Sequence, residues 1–348
     1  MVDLSTFDPN DVCNPENGLF GLPFNSVDDA KLIVLPVPWE ATVIYGSGTA
    51  RSIDPILKAS LQIDLFDPDF GDTWKNGFYM PEPNKKILTK SDYLRKEAEL
   101  FVDYICHGEE VGKNTFMCKS IREINEGGAY LNNWVYEQTT NLLTQGKLVG
   151  LLGGDHSTSL GFIKALGETK GDFGVLQIDA HCDLRKAYEG FTYSHASALY
   201  NVLNEVPQVS KLVQLGIREF CEEEWNFLQE NKERIYTFYD KKVKERMYEG
   251  ATWNSITNEI IEQLPDKIYI SFDVDGLDPK LCPNTGLPVQ GGFEAEQIMY
   301  LIKKIVASGR KVIGFDLVEV GSNNNIIDAT VGARLLWNLC NWLCLSNQ

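Results

Sequence analysis

The sequence predicts an α/β protein built on a mainly parallel sheet flanked by helices. Three observations predict it. Short apolar runs recur along the chain, longer stretches with helical spacing separate them, and compact clusters of histidine and aspartate stand directly after several runs. Continuous apolar runs suit strands covered on both faces, and strands that alternate with helices build parallel sheets.

Taken in chain order, the first strand is predicted over residues 31–37 (KLIVLPV). Residues 148–152 (LVGLL), 174–178 (GVLQI), 212–216 (LVQLG), 268–272 (IYISF) and 312–317 (VIGFDL) repeat the pattern. Helices are predicted between them over 132–144, 159–166, 222–231, 256–264 and 294–308, and a last one over 328–345. Residues 65–128 break the rhythm with FDPDFGDTW, MPEPNKK and a charged helical piece around 90–105. They read as an insertion packed on the main domain, so that 1–348 forms a single domain. No internal repeat or low-complexity tract is visible.

The chain has 348 residues, 43% hydrophobic and 23% charged, which is ample for a buried core. Its net charge of −17 and the lack of any Lys/Arg block exclude nucleic-acid binding driven by counterion release. The acidic balance suits a cationic substrate, although solubility alone accounts for it. The eight cysteines, at 13, 106, 118, 182, 221, 282, 340 and 344, form no CxxC pair and read as free thiols in a reducing compartment. The opening MVDLSTFDPNDV has no signal-peptide pattern, and no run approaches the ~18 apolar residues of a membrane span. A cytoplasmic address and no membrane partner are therefore expected.

Of the four histidines, His107, His156, His181 and His195, three fall in polar clusters. The first cluster is residues 153–157, GGDHS, where the glycines allow a tight turn that projects His156 at the carboxyl edge of the sheet. Taken alone, a histidine beside such a turn is more often structural than a ligand. The second is 179–183, DAHCD. Alternate strand residues point the same way, so Asp179 and His181 project together and Asp183 joins them as the strand ends. The third is 271–279, SFDVDGLDP, where Asp273 and Asp275 repeat that geometry while Asp278, before a proline, reads as a turn cap. Helix caps and salt bridges are the competing account of these aspartates. Two acids so close repel each other, however, unless a cation neutralises them. Four carboxylates and two imidazoles form an oxygen-rich set that suits Mn²⁺ better than structural Zn²⁺. Six ligands exceed what one open catalytic site needs, and two metals ~3.5–4 Å apart use them naturally.

These motifs, followed by PNTGLPVQGG at 283–292, resemble those of the ureohydrolase family of arginases and agmatinases; WEATVIYGSGTA at 39–50 is similar to the agmatinase branch. The resemblance implies a three-layer α/β/α fold around an eight-stranded parallel sheet and two Mn²⁺ per chain. It implies His156, Asp179, Asp183 and Asp273 around one metal, and His181, Asp179, Asp273 and Asp275 around the other. By the same resemblance His195, in YSHAS, is the mobile histidine that passes a proton to the leaving amine, and Glu319, in FDLVEV, grips the guanidinium. A capping histidine and an ordinary ion pair are the plainer accounts of those two. The implied partners are a small cationic guanidino substrate and further copies of the chain, in a homotrimer or homohexamer.

Two residues depart from the arginase pattern. Arg185 stands where arginases have an Asn, and Leu287 replaces a Thr found beside the guanidinium in many relatives. An Arg185 aimed into the pocket would favour a guanidino acid; paired with a neighbour such as Glu189, it would not. Cleavage of an agmatine-like compound to urea and an amine is the leading expectation. Hydrolysis of guanidine or a guanidino acid, with nickel or manganese, is the alternative, and arginase or formimidoylglutamase activity follows. Phosphoester hydrolysis lacks the basic residues that would hold a phosphate, and the one-zinc deacetylases, which share the implied architecture, need no second ligand set.

Overall fold

The computed structural model describes residues 2–5, 7–11, 14, 16–43, 46–322 and 326–348. Cys13 and the Ile44-Tyr45 pair of the agmatinase-like segment lie outside them. Along the chain run β1 (Leu32–Val37), α1 (Ile53–Ser60), β2 (Phe78–Tyr79), α2 (Lys85–Cys106), α3 (Thr115–Thr144), β3 (Leu148–Gly153), α4 (Leu160–Lys170), β4 (Phe173–Ile178), α5 (Ala198–Glu205), β5 (Val209–Leu215), α6 (Glu222–Glu230), β6 (Ile235–Phe238), α7 (Asp240–Tyr248), α8 (Trp253–Gln263), β7 (Lys267–Asp273), α9 (Ala295–Ala307), β8 (Lys311–Val318) and α10 (Ile326–Leu345).

All strand pairs are parallel, in the order β2-β1-β3-β8-β7-β4-β5-β6. Helix α3 packs on α2 and α4, and α4 on α5 and β8, forming one outer layer. On the other side α10 contacts α1, α9 and β8, while α8 contacts α9 and β5. This is the three-layer α/β/α arrangement that the family resemblance implies. The middle strands bury both faces, as LIVLPV in β1 and FGVLQI in β4 show.

Six of the eight strands coincide with the apolar runs. The two that escape the pattern, β2 and β6, sit at the sheet's edges, where half the side chains face solvent. Helices α1, α5 and α7 are short and equally hard to read from spacing. Residues 65–128 supply β2, α2 and the N-terminal part of α3. Asn84 caps α2 by accepting from the N–H groups of Lys86 and Ile87, and Asn114 caps α3 through Phe116 and Met117.

The strand order places the site. Strands β3, β8, β7 and β4 are neighbours, and each predicted polar motif follows one of them. The chain crosses from β3 over β8 and β7 to reach β4, so connections diverge above this centre and leave a crevice at the carboxyl ends. Among the described residues no helix is long and apolar enough to cross a membrane. The described cysteines form no disulfide, and Cys182, Cys282, Cys340 and Cys344 are buried.

Candidate active site

Beyond β4 and at the end of β7, backbone N–H groups and the Gln177 side chain orient the aspartates. Asp179 accepts the His181 N–H on Oδ1 at 2.6 Å and the Gln177 amide on Oδ2 at 2.9 Å. Asp275 Oδ1 accepts Ala180 N–H at 2.8 Å, and Asp273 Oδ1 accepts Asp275 N–H at 2.8 Å. Asp183 adopts a left-handed φ of 54°, costly for a residue with a Cβ, and its carbonyl accepts from Leu199 and Tyr200 at the start of α5.

Oxygens of all four aspartates converge on two imidazoles. His156 Nδ1 lies 2.8 Å from Asp183 Oδ2, 3.1 Å from Asp179 Oδ2 and 3.4 Å from Asp273 Oδ2. His181 Nδ1 lies 2.8 Å from Asp275 Oδ2 and 3.7 Å from Asp179 Oδ1. Two groups result, His156-Asp179-Asp183 and Asp179-His181-Asp275, each tight enough to hold an ion and both using Asp179.

The ring of His156 shows what the cluster lacks. Its Nε2 is 2.8 Å from Ser271 Oγ, and Ser271 donates to Asp316, which also accepts the buried Tyr269 hydroxyl at 2.6 Å. That network assigns the proton to Nε2 and turns the Nδ1 lone pair toward three carboxylates. Nδ1 forms no hydrogen bond despite those distances. Lone pairs facing one another at such range need a proton or a metal cation between them, and the mixed oxygen and nitrogen donors fit a hard divalent ion.

Titration follows the same logic. Burial pulls His156 and His181 down, but the carboxylates around them outweigh it and raise both well above the ordinary histidine value. Burial, with Asp179 beside it, pushes Asp183 up to about 7. Burial and the neighbouring Asp275 and Asp179 raise Asp273 as well.

The other predicted residues line one cavity of about 230 Å³ with these groups. Glu319 has φ 61°, accepts His156 N–H on Oε1 at 3.0 Å, and keeps a buried Oε2 without a hydrogen-bond partner. Burial and Asp155 raise its pKa well above the carboxylate range. A Cβ on Gly286 would stand 3.2 Å from that Oε2, so the glycine keeps the approach open. His195 opens the short 3-10 turn His195–Ser197; its Nδ1 lies 3.4 Å from Thr42 Oγ1, and Tyr188 meets its ring edge-on. Burial, reinforced by the positive His181 and His156, lowers its pKa to about 3. Leu287 lines the cavity and is 44% exposed.

Arg185 reaches the cavity wall, stacks 4.8 Å over Tyr188, and pairs with Glu224 at 3.9 Å. The expected neighbour Glu189 is not that partner. Glu224 comes from the first turn of α6 and is itself held by Leu184 and Cys221 N–H groups. His107 is exposed at the end of α2, and Asp278 caps its own turn through Lys280 N–H. Motif reading missed Thr42, Glu224, Asp316 and the Gln177–Gln214 pair, joined at 2.7 Å. The last three positions did carry a signal, since a lone polar residue inside an apolar run, as in VLQI, LVQL or GFDL, must find a buried partner.

The Arginase family model matches residues 30–341. The chain belongs to the arginase family. As a member it is a hydrolase of guanidino C–N bonds. The chain is 28% identical over 321 residues to an N(1)-aminopropylagmatine ureohydrolase of Thermus thermophilus, covering 92% of each chain. It is 30% identical over 297 residues to the agmatinase of Bacillus cereus, covering 85% of each. This arginase-family fold also superposes on the agmatine ureohydrolase of Thermoplasma volcanium with a TM-score of 0.67, at 22% identity and 92% coverage of both chains.

Proposed function

We propose that this arginase-family chain is an agmatinase-type ureohydrolase with two divalent cations, manganese by its donor set and nickel as the alternative. One cation would be held by His156, Asp179, Asp183 and Asp273, the other by His181, Asp179, Asp273 and Asp275. The observation that carries the reading is the pair of imidazole Nδ1 atoms, each 2.8 Å from a carboxylate, with Asp179 shared between the two groups. Bound there, the cations supply a water acidic enough to act as hydroxide near neutral pH.

The protein's own residues do the rest. Glu319 offers the buried Oε2 to a planar guanidinium, a charge-assisted contact that holds the carbon toward the aspartates. Burial favours the neutral form of His195. It must therefore take up a proton before passing one to the departing amine, and Tyr188 and Thr42 frame its ring for that transfer. The pairing of Arg185 with Glu224 offsets the one cation that would welcome a carboxylate tail, and Glu219 adds a further acid to the cavity. An amine tail fits this wall better than a guanidino acid. Assembly as a homotrimer or homohexamer and a cytoplasmic address complete the reading.

Urea release should be measured with agmatine, N(1)-aminopropylagmatine, arginine, guanidine and 4-guanidinobutyrate, with Mn²⁺ and Ni²⁺ separately. The reading requires turnover of an amine-tailed substrate above the others. Protein that binds two cations yet leaves every compound intact would refute it.

A further inference from the structure

Glu40 lies just beyond the end of β1 and is 3% exposed. Helix α2 grips its backbone from both sides. Its N–H donates to Ser91 Oγ at 2.9 Å, and its carbonyl accepts from Arg95 Nη1 at 3.2 Å. Its carboxylate accepts from Gly48 N–H at 2.7 Å, Thr49 Oγ1 at 3.1 Å and Ala50 N–H at 3.3 Å. Ser91 is fully buried, and Arg95 is anchored a second time by Glu99 at 3.0 Å. Buried, charge-assisted contacts of this kind hold a backbone in one place. The next alternate residue, Thr42, is buried, and its Oγ1 stands 3.4 Å from both the backbone N and the Nδ1 of His195.

We infer that Ser91 and Arg95 are positioning residues for His195, acting through the Glu40 backbone and the Thr42 hydroxyl. The inference rests on His195 being the proton carrier. The Thr42 and Ser194 hydroxyls, each 3.4 Å from Nδ1, leave Nε2 for the reacting amine, and Thr42 alone also accepts the His195 N–H, so a shift of Thr42 alters the place of the ring. Residues 65–128 thereby gain a part in the chemistry, although none of them lines the catalytic cavity.

The test compares wild type, His195→Ala, Thr42→Val, Ser91→Ala, Arg95→Ala, Arg95→Lys and the Arg95→Ala/Thr42→Val double variant. Urea release, metal content and amide exchange at Gly48 and Ala50 are measured on the same preparations. Arg95→Ala and Thr42→Val should each lower kcat about 10-fold with KM within about 3-fold of wild type, because a misplaced proton carrier leaves ground-state binding intact. The double variant should lose no more than Thr42→Val alone, since both changes act on one contact. Arg95→Lys keeps a donor for the Glu40 carbonyl and should recover most of kcat, and Gly48 and Ala50 should exchange faster in Arg95→Ala at unchanged metal content. Ser91→Ala tests the second grip if Arg95→Ala fails to fold. Wild-type kcat in the Arg95→Ala and Ser91→Ala proteins, unchanged exchange, or losses that multiply in the double variant overturn the inference. Wild-type turnover by His195→Ala instead removes the reading beneath it.

Discussion

At Glu319 one carboxylate oxygen is spent on the His156 N–H and the other is buried without a partner. Holding an acid there is costly unless a cation arrives, and a guanidinium is such a cation. Glu319→Gln keeps the shape and removes the charge. Its kcat/KM should fall roughly 10- to 100-fold, the worth of one hydrogen bond to a charged group, with metal content unchanged. Steady-state kinetics beside elemental analysis checks both halves. Arg185 leads to the opposite expectation. Its guanidinium is shared between Glu224 and the Tyr188 face, so Arg185→Ala should leave agmatine ranked above 4-guanidinobutyrate. A reversed ranking would show that the arginine reads the tail. The chemistry-bearing residues were legible because DAHCD and SFDVDG crowd acids and imidazoles into a few consecutive positions; the expected alternate strand positions do not hold, since β4 ends at Ile178, Asp183 is left-handed and Asp275 sits in a 3-10 turn beyond β7. The Ser271–Asp316 link to His156 was not, because it joins β7 to β8 and exists only once the sheet forms.

The same distinction governs the elements. Strands buried on both faces announce themselves as apolar runs, whereas β6 buries only its first and last residues over a short stretch and β2 is a two-residue pairing. Helix α3 is predicted only from 132, yet begins at Thr115; its earlier turns carry Gly127 and Gly128, poor helix formers that obscure the pattern. Those glycines are packing features, since a Cβ on Gly127 would fall 2.2 Å from Leu94 of α2. Gly161 does the same between α4 and α3, where a Cβ would meet the Asn132 carbonyl oxygen at 2.2 Å. Backbone cannot swing aside as a flexible side chain can. Gly161→Ala should therefore destabilise the fold by about 1–3 kcal/mol, the usual cost of overpacking. A denaturant midpoint equal to wild type would show that the two helices separate more freely than this contact implies.

Across the whole molecule, four adjacent parallel strands deliver their acids to one crevice, and a chain already at −17 must stabilise that concentration of charge. Without cations, protons do it. Burial and Asp179 raise Asp183 to about 7, while neighbouring carboxylates keep His156 and His181 charged above their ordinary value. A carboxyl raised in the folded state contributes stability that is complete below its unfolded pKa, near 4, and is lost as pH climbs through the folded value. For Asp183 that window runs from about 4 to about 7. The cation-free protein should therefore lose part of its stability over that range. Divalent ions replace the protons, because carboxylates bind them ionised and imidazoles bind them neutral. Metal uptake should release protons, bind more tightly near pH 8 than near pH 6, and raise Tm by a larger increment at the higher pH. Calorimetric titration with Mn²⁺ in two buffers of different ionisation enthalpy counts the protons, and thermal unfolding with and without Mn²⁺ at each pH measures the increment. An increment that shrinks as pH rises would mean that the acids of DAHCD and SFDVDG do not hold the ion.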